Sequence, residues 1–139
     1  MARKSQQFEC RVYFEDTDAG GVVYHANYLN FYERARTEFL RSLGYEQDDL
    51  LTQNIVFVVR NITVDFKVAA RFNALLQINT RVEDLKKASL VFEQKIISTH
   101  GLESCCINQA QVRVVCVTAD SFKPTAIPAE IFEKLKPYE

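Results

Sequence analysis

The sequence has no tryptophan, only 4 glycines and 3 prolines, and no surplus of either charge, since 17 Lys and Arg face 18 Asp and Glu for a net charge of −1. Each scarcity excludes something. A near-neutral chain with no run of four like charges is not a nucleic-acid binder of the kind that relies on bulk electrostatics. The longest apolar runs, residues 55–59 and 114–117, fall far short of the roughly 20 residues that cross a bilayer, so membrane insertion is not expected. Residues 1–7 are polar and lack the apolar stretch of a signal peptide, which points to a cytoplasmic location. The four cysteines, Cys10, Cys105, Cys106 and Cys116, show no C-x-x-C spacing, and the adjacent pair would face opposite sides of a strand. Free, buried thiols in a reducing compartment are the expected state.

What is present is one ordinary domain. The 139 residues, 47% apolar and 25% charged, suffice for a core that needs neither disulfide nor structural metal. Phe8, Cys10, Val12 and Phe14 alternate with polar neighbours and predict a first strand over residues 8–14. After a turn-like segment at 15–21 the period changes. Tyr28, Tyr32, Ala35, Phe39 and Leu43 recur at helical spacing and predict a helix over about 26–43, closed by Gly44 as a left-handed cap. Its wet side carries Glu33, Arg34, Arg36, Thr37, Glu38 and Arg41, with Arg34 and Glu38 spaced to pair. Period-two alternation then marks strands near 61–66, 76–83, 90–98 and 106–118, with His100-Gly101 as the turn between the last two. A short helix at 129–135 follows Pro128. Strand, long helix, four strands is an α+β order, and an aromatic-rich helix wrapped by a five-stranded antiparallel sheet buries all of it.

Within this frame the segment RVYFEDTDAGGVVYHANYL at residues 11–29, continuing as FYERARTEFL at 31–40, closely resembles the YbgC-type acyl-CoA thioesterases of the hot-dog superfamily, relatives of 4-hydroxybenzoyl-CoA thioesterase. The specific match covers residues 11–43 and a looser one most of the chain, to the Lys123-Pro124 and Pro128 segment. Two places depart from it: Asn73-Ala74 stand where relatives often carry an acidic pair, and Phe14 where some have Tyr. The resemblance implies a hot-dog fold over 1–139 and hydrolysis of acyl-CoA, of short aliphatic chains by preference. It implies subunits that pair, and pair again into a tetramer, with sites built from one subunit's loop and its partner's strands. A possible acyl carrier protein partner and a link to the Tol-Pal envelope system come with it.

The loop chemistry can be read from the residues themselves. Glu15, Asp16, Asp18, Gly20, Gly21 and His25 precede a helix N-terminus, where unpaired N–H groups and the positive end of the dipole stabilise an anion. Adjacent glycines let backbone turn sharply and approach a ligand. Thioester hydrolysis needs a carboxylate, to attack or to deprotonate water, and donors for the oxyanion. Asp18 supplies the first and the N–H at or near His25 the second, with a side-chain role for His25 left open. Gly20, Gly21, Val22 and Tyr24 would line the substrate, while Lys86, Lys87 and Lys123 are basic candidates for the phosphates of CoA. Glu33 reads as an ion-pairing surface residue, and Tyr24, Tyr28 and Tyr32 as packing. Glu15, Asp16 and Asp18 do not form a calcium loop, because Asn27 stands where the bidentate Glu belongs, and no metal or cofactor is implied. Two other readings use the same residues: a hydratase or dehydratase of acyl thioesters, and a binding partner of acyl carrier protein or a phospholipid enzyme.

Overall fold

A computed structural model describes residues 3–99 and 105–139; the turn expected at His100-Gly101 lies outside them. The elements run β1 (Gln6–Arg11), a 3-10 turn (Phe14–Asp16), α1 (Asn27–Ser42), α2 (Gln47–Thr52), β2 (Ile55–Phe66), β3 (Leu75–Glu83), β4 (Ser89–Ser98), β5 (Cys105–Thr118), α3 (Ala129–Leu135) and a closing 3-10 turn (Lys136–Tyr138). The five strands form one antiparallel sheet in the order β1-β3-β4-β5-β2. One face of it packs on α1.

α1 forms where the aromatic period predicts it. Sixteen residues without Gly or Pro bury Tyr28, Phe31, Tyr32, Ala35, Phe39 and Leu40. Its end is set by Gly44 at φ +97°. There the Gly44 N–H reaches Arg41 O and the Tyr45 N–H reaches Leu40 O, the paired bonds of a Schellman cap. Glu38 pairs with Arg41 and not with Arg34, which lies over the Phe31 ring. α2 was not legible in the sequence, being only six residues with a single buried side chain, Leu50.

Two strands differ from their expected bounds for physical reasons. β1 stops at Arg11, and Phe14 is 82% exposed, because the Asp16 carboxylate folds residues 13–16 into a tight turn. β2 begins at Ile55, not 61, because Arg60 is an extra residue between the Val59–Val114 and Asn61–Arg113 pairs. That bulge swaps the core-facing parity from Phe57 to Ile62, so continuous alternation is lost where the strand continues. All four cysteines are free thiols, but only Cys116 is buried as expected; Cys10 and Cys106 are half-buried and Cys105 is exposed.

The core is not wholly apolar. Gln94 points from β4 at the underside of α1, fully buried, and donates from Nε2 to Thr80 Oγ1 (3.0 Å) and to Tyr32 O (3.1 Å). Its Oε1 accepts from Arg36 Nη1 at 3.0 Å, and the Tyr32 hydroxyl donates to Asn108 Oδ1 at 2.5 Å. This polar row pins the helix in rotation and register, which a greasy surface alone does not do. Replacing Gln94 by Leu strands Thr80 and the half-buried Arg36, and we expect it to lower unfolding free energy by about 2–4 kcal/mol. Tyr32→Phe removes one bond and should cost about 1–2 kcal/mol. Urea midpoints of the two variants, taken side by side, check the ranking.

Candidate active site

The loop between β1 and α1 is organised by Asp16. Its carboxylate is buried, 7% exposed, and accepts two neutral donors: Oδ2 takes the Tyr13 N–H and Oδ1 the Asn27 side-chain amide, each at 2.8 Å. Its backbone is used as well, with Asp16 N–H on Tyr13 O and Asp16 O accepting the Tyr24 N–H, both 3.0 Å. One residue thereby ties the end of β1, the return of the loop and the first residue of α1. Asp16 and Asn27 are the site residues whose roles sequence reasoning missed, since Asp16 figured only as a failed metal ligand. A small acid followed by an Asn at a helix start is the only local hint, and a weak one.

Above this anchor the loop folds back as a narrow hairpin. Thr17 bridges Val23, the Asp18 N–H donates to Val22 O (2.9 Å), and the Gly21 N–H donates to Asp18 O (3.0 Å). Gly21 holds φ +80°, which L side chains resist. Gly20 is needed for a different reason. A Cβ there would stand 3.2 Å from Asp18 Oδ1, the atom that accepts the Gly20 N–H at 2.9 Å. The pair was expected to free the backbone for a ligand; in addition Gly20 makes room for the Asp18 carboxylate. Asp18 itself is exposed, and its second oxygen, Oδ2, has no protein hydrogen bond among the described residues.

The return strand of the loop is docked by Val23, whose N–H donates to Ala70 O at 2.8 Å, and by the bridge from half-buried Val22 to Arg71. Tyr28 completes the clamp, buried, its hydroxyl accepting the Ala70 N–H at 3.0 Å. α1 then starts with Ala26 as N-cap, and no side chain caps it. The N–H groups of His25 and Ala26 find no acceptor among the described residues, in a backbone where Tyr24 and Asn27 are both used. Uncapped donors at the positive end of a 16-residue helix form an anion-seeking pair. Among the described residues the exposed His25 imidazole makes ring contacts only, with Tyr24 (4.7 Å between centroids) and Phe66 (6.5 Å). Tyr24 is half exposed beside it, while Tyr28 and Tyr32 are packing residues as expected.

Asp18, Gly20, Gly21, Val22, Tyr24 and His25 are thus brought together on one loop. The lysines are not. Arg11 pairs with Leu75, and Leu76 with Ser98, so the Asp18 loop lies at the Leu75 and Ser98 end of the sheet. Lys86 and Lys87 sit in the turn at the other end of β3 and β4, where the Lys87 carbonyl accepts the Ile127 N–H, and Lys123 is nearby, its carbonyl bonded to Thr118. The length of β4, about 30 Å, separates them from the loop of their own chain. Glu33 is exposed on α1, forms no ion pair among the described residues where one was expected, and lines a cavity with Arg36. Arg36, placed on the wet side by its spacing, is half-buried against Gln94, and burial pulls its pKa down against the opposing charge of Glu33.

The chain and its fold have counterparts among known proteins. The family model of the thioesterase-like superfamily matches residues 12–135. The acyl-CoA thioester hydrolase YbgC of Escherichia coli O6:H1 is 47% identical over 126 residues, covering 91% of this chain and 92% of its own. The acyl-CoA thioesterase YbgC of Helicobacter pylori strain 26695 is 37% identical, covering 91% and 96%. A crystal structure of a probable thioesterase from Bartonella henselae superposes with a TM-score of 0.81 at 36% identity, over 90% of this chain and all of that one. A mutant 4-hydroxybenzoyl-CoA thioesterase complexed with 4-hydroxybenzoyl-CoA has a TM-score of 0.83 at 22% identity, covering 96% and 99%, and shares the fold. With the hot-dog architecture, the matched loop and relatives of this identity along nearly its whole length, the chain belongs to the thioesterase-like superfamily.

Proposed function

We propose that the protein hydrolyses acyl-CoA thioesters, of short aliphatic chains by preference, with Asp18 as the reacting carboxylate and the backbone at His25 and Ala26 as the oxyanion site. One observation carries the reading: a carboxylate oxygen and two N–H groups at an uncapped helix start, all without a hydrogen-bond partner among the described residues, belong to one loop. The thioester carbonyl oxygen would sit on the N–H pair, so that negative charge develops where donors already point. As a general base Asp18 takes a proton from water as the hydroxyl oxygen bonds to the carbonyl carbon. The tetrahedral intermediate then collapses, the C–S bond breaks, and CoA leaves as a thiolate that takes up a proton. As a nucleophile Asp18 bonds to the carbon directly, CoA leaves, and water cleaves the resulting anhydride. Among the described residues the His25 ring makes aromatic contacts and no hydrogen bond to a carboxylate, which favours hydrolysis over a hydratase reaction.

A second copy of the chain completes the site in this reading. β2 is a twelve-residue edge strand with Val59 and Phe66 about half exposed, an edge that folded proteins rarely leave open. Two copies pairing antiparallel through β2, about its midpoint, set the Phe66 end of one strand beside the Ile55 end of the other. The lysine end of each subunit then neighbours the Asp18 loop of its partner. Four free thiols fit a reducing, cytoplasmic setting.

Asp18→Asn should fold normally and lose about a hundredfold or more in kcat for butyryl-CoA, an amide being no base and a poor nucleophile. A variant that keeps more than about a tenth of the activity sinks the assignment. Single-turnover hydrolysis in heavy-oxygen water separates the two mechanisms, because only an anhydride leaves label in Asp18. For the shared site, Lys86→Glu with Lys87→Glu should raise KM for butyryl-CoA several-fold at little changed kcat, and leave the butyryl thioester of N-acetylcysteamine untouched. Equal effects on both substrates would remove the lysines from CoA binding.

A further inference from the structure

A cavity of about 150 Å³ lies beneath the C-terminal half of α1, away from the Asp18 loop of its own chain. Leu40, Phe57, Val59 and Leu90 wall it, and Glu33 and Arg36 border it from the helix. Val59 is 46% exposed on the edge strand, so the cavity reaches the β2 edge. Its volume is that of a space that holds a benzene ring, or about six heavy atoms.

Arg36 is the anomaly in this lining. A half-buried guanidinium ordinarily has a carboxylate partner, yet among the described residues Arg36 forms no ion pair. Its one hydrogen-bond acceptor is the neutral Gln94 Oε1, at 3.0 Å through Nη1. Glu33, one turn earlier, attracts it at longer range without pairing. The guanidinium carries five N–H donors in a planar fork that matches a carboxylate, and most of that fork is unused. Apolar walls and a guanidinium whose fork is largely open fit a ligand with the same order of parts: a short methylene chain that ends in a carboxylate.

The source of such a ligand follows from the proposed dimer, on which this inference rests. Antiparallel pairing through β2 sets the partner's Asp18 loop, whose His25 packs on Phe66, beside the Ile55 and Phe57 end of the strand that walls the cavity. We propose that the cavity receives the acyl chain of a thioester held at the partner's Asp18 loop, and that Arg36 makes the enzyme selective for acyl groups ending in a carboxylate. A five-carbon dicarboxylic monothioester fits best, because three methylenes and a carboxylate beyond the thioester carbonyl fill a space of about six heavy atoms. Arg36 is a specificity residue here; the chemistry remains with the loop.

The test compares kcat/KM for glutaryl-CoA and hexanoyl-CoA, acyl groups of matched length that differ in the terminal charge. Wild type should favour glutaryl-CoA by about tenfold or more, since a site built to bond an anion discriminates against the chain that lacks it. Arg36→Met should abolish that preference, through a raised KM for glutaryl-CoA, and keep hexanoyl-CoA turnover within a few-fold; Arg36→Lys should fall between. Because loss of Arg36 could unsettle Gln94, Phe57→Trp, which fills the cavity from another wall, serves as a second variant and should spare acetyl-CoA while losing both longer substrates. A wild-type preference for hexanoyl-CoA, or an unchanged ratio in Arg36→Met, overturns the inference and leaves the thioesterase reading standing. A ratio near one in wild type, with a dimer that dissociates in Arg36→Met, overturns it too, by assigning the guanidinium to the subunit interface. If no acyl-CoA is hydrolysed, the thioesterase reading itself has failed. Calorimetric titration of wild type with the same two thioesters then decides the cavity on binding alone: tighter glutaryl-CoA supports it, equal or weaker binding overturns it.

Discussion

The loop between β1 and α1 depends on one buried carboxylate. Asp16 gives up water and receives two short N–H bonds in exchange, one from the backbone of Tyr13 and one from the amide of Asn27. A buried carboxyl group is costly unless its lone pairs are met, so the arrangement has little tolerance: move the helix start or the turn and an acceptor is stranded. That intolerance is what makes the loop rigid. Two residues on, Asp18 spends one oxygen on the Gly20 N–H and keeps the other without a hydrogen bond among the described residues. The two aspartates divide the work by environment, the buried one fixing geometry and the exposed one remaining available.

Legibility in the sequence follows how local each signal is. α1 was readable because its aromatic stripe repeats over sixteen residues and its end carries the residue that a left-handed cap requires, Gly44. The sheet was readable where alternation persists, and failed at Arg60, where a single inserted residue shifts parity and hides the first half of β2. Asp18 and the glycines stood out through their spacing before the helix and through the family resemblance. Asp16, Asn27 and Gln94 did not: the Asp16 bonds to Tyr13 and Asn27 exist only once the loop has turned, and Gln94 meets Thr80, Tyr32 and Arg36 only once the sheet has closed on the helix. Buried polar residues on an otherwise apolar face are the hardest class to place from a sequence, since nothing nearby distinguishes them from surface ones.

The separation between the Asp18 loop and the lysines is a consequence of sheet order. β1 sits at one edge and enters the loop from the Arg11 end, while the β3-β4 turn and the tail of β5 must lie at the opposite end of the same antiparallel ladder. No side-chain rearrangement closes a gap of about 30 Å. A single chain therefore cannot bring both groups to one small substrate, whereas a two-fold axis through the β2 edge exchanges the ends of the sheet and can. The unpaired edge and the divided site are two aspects of one topology.

The polar row under α1 connects this topology to selectivity. Arg36 reaches the core because Gln94 gives it an acceptor, and Gln94 is held in turn by Thr80 and the Tyr32 carbonyl. An apolar residue at 94 would leave the half-buried guanidinium without the acceptor that orients it. With Gln94 the guanidinium is oriented at the cavity wall and half shielded from water, and there an additional charge-assisted hydrogen bond is stronger than at the surface. The same neutral partner leaves most of the guanidinium fork open, since a carboxylate at 94 would have consumed it. Orienting a cation without neutralising it is what a pocket for an anionic chain end requires, and a glutamine beneath an arginine does both.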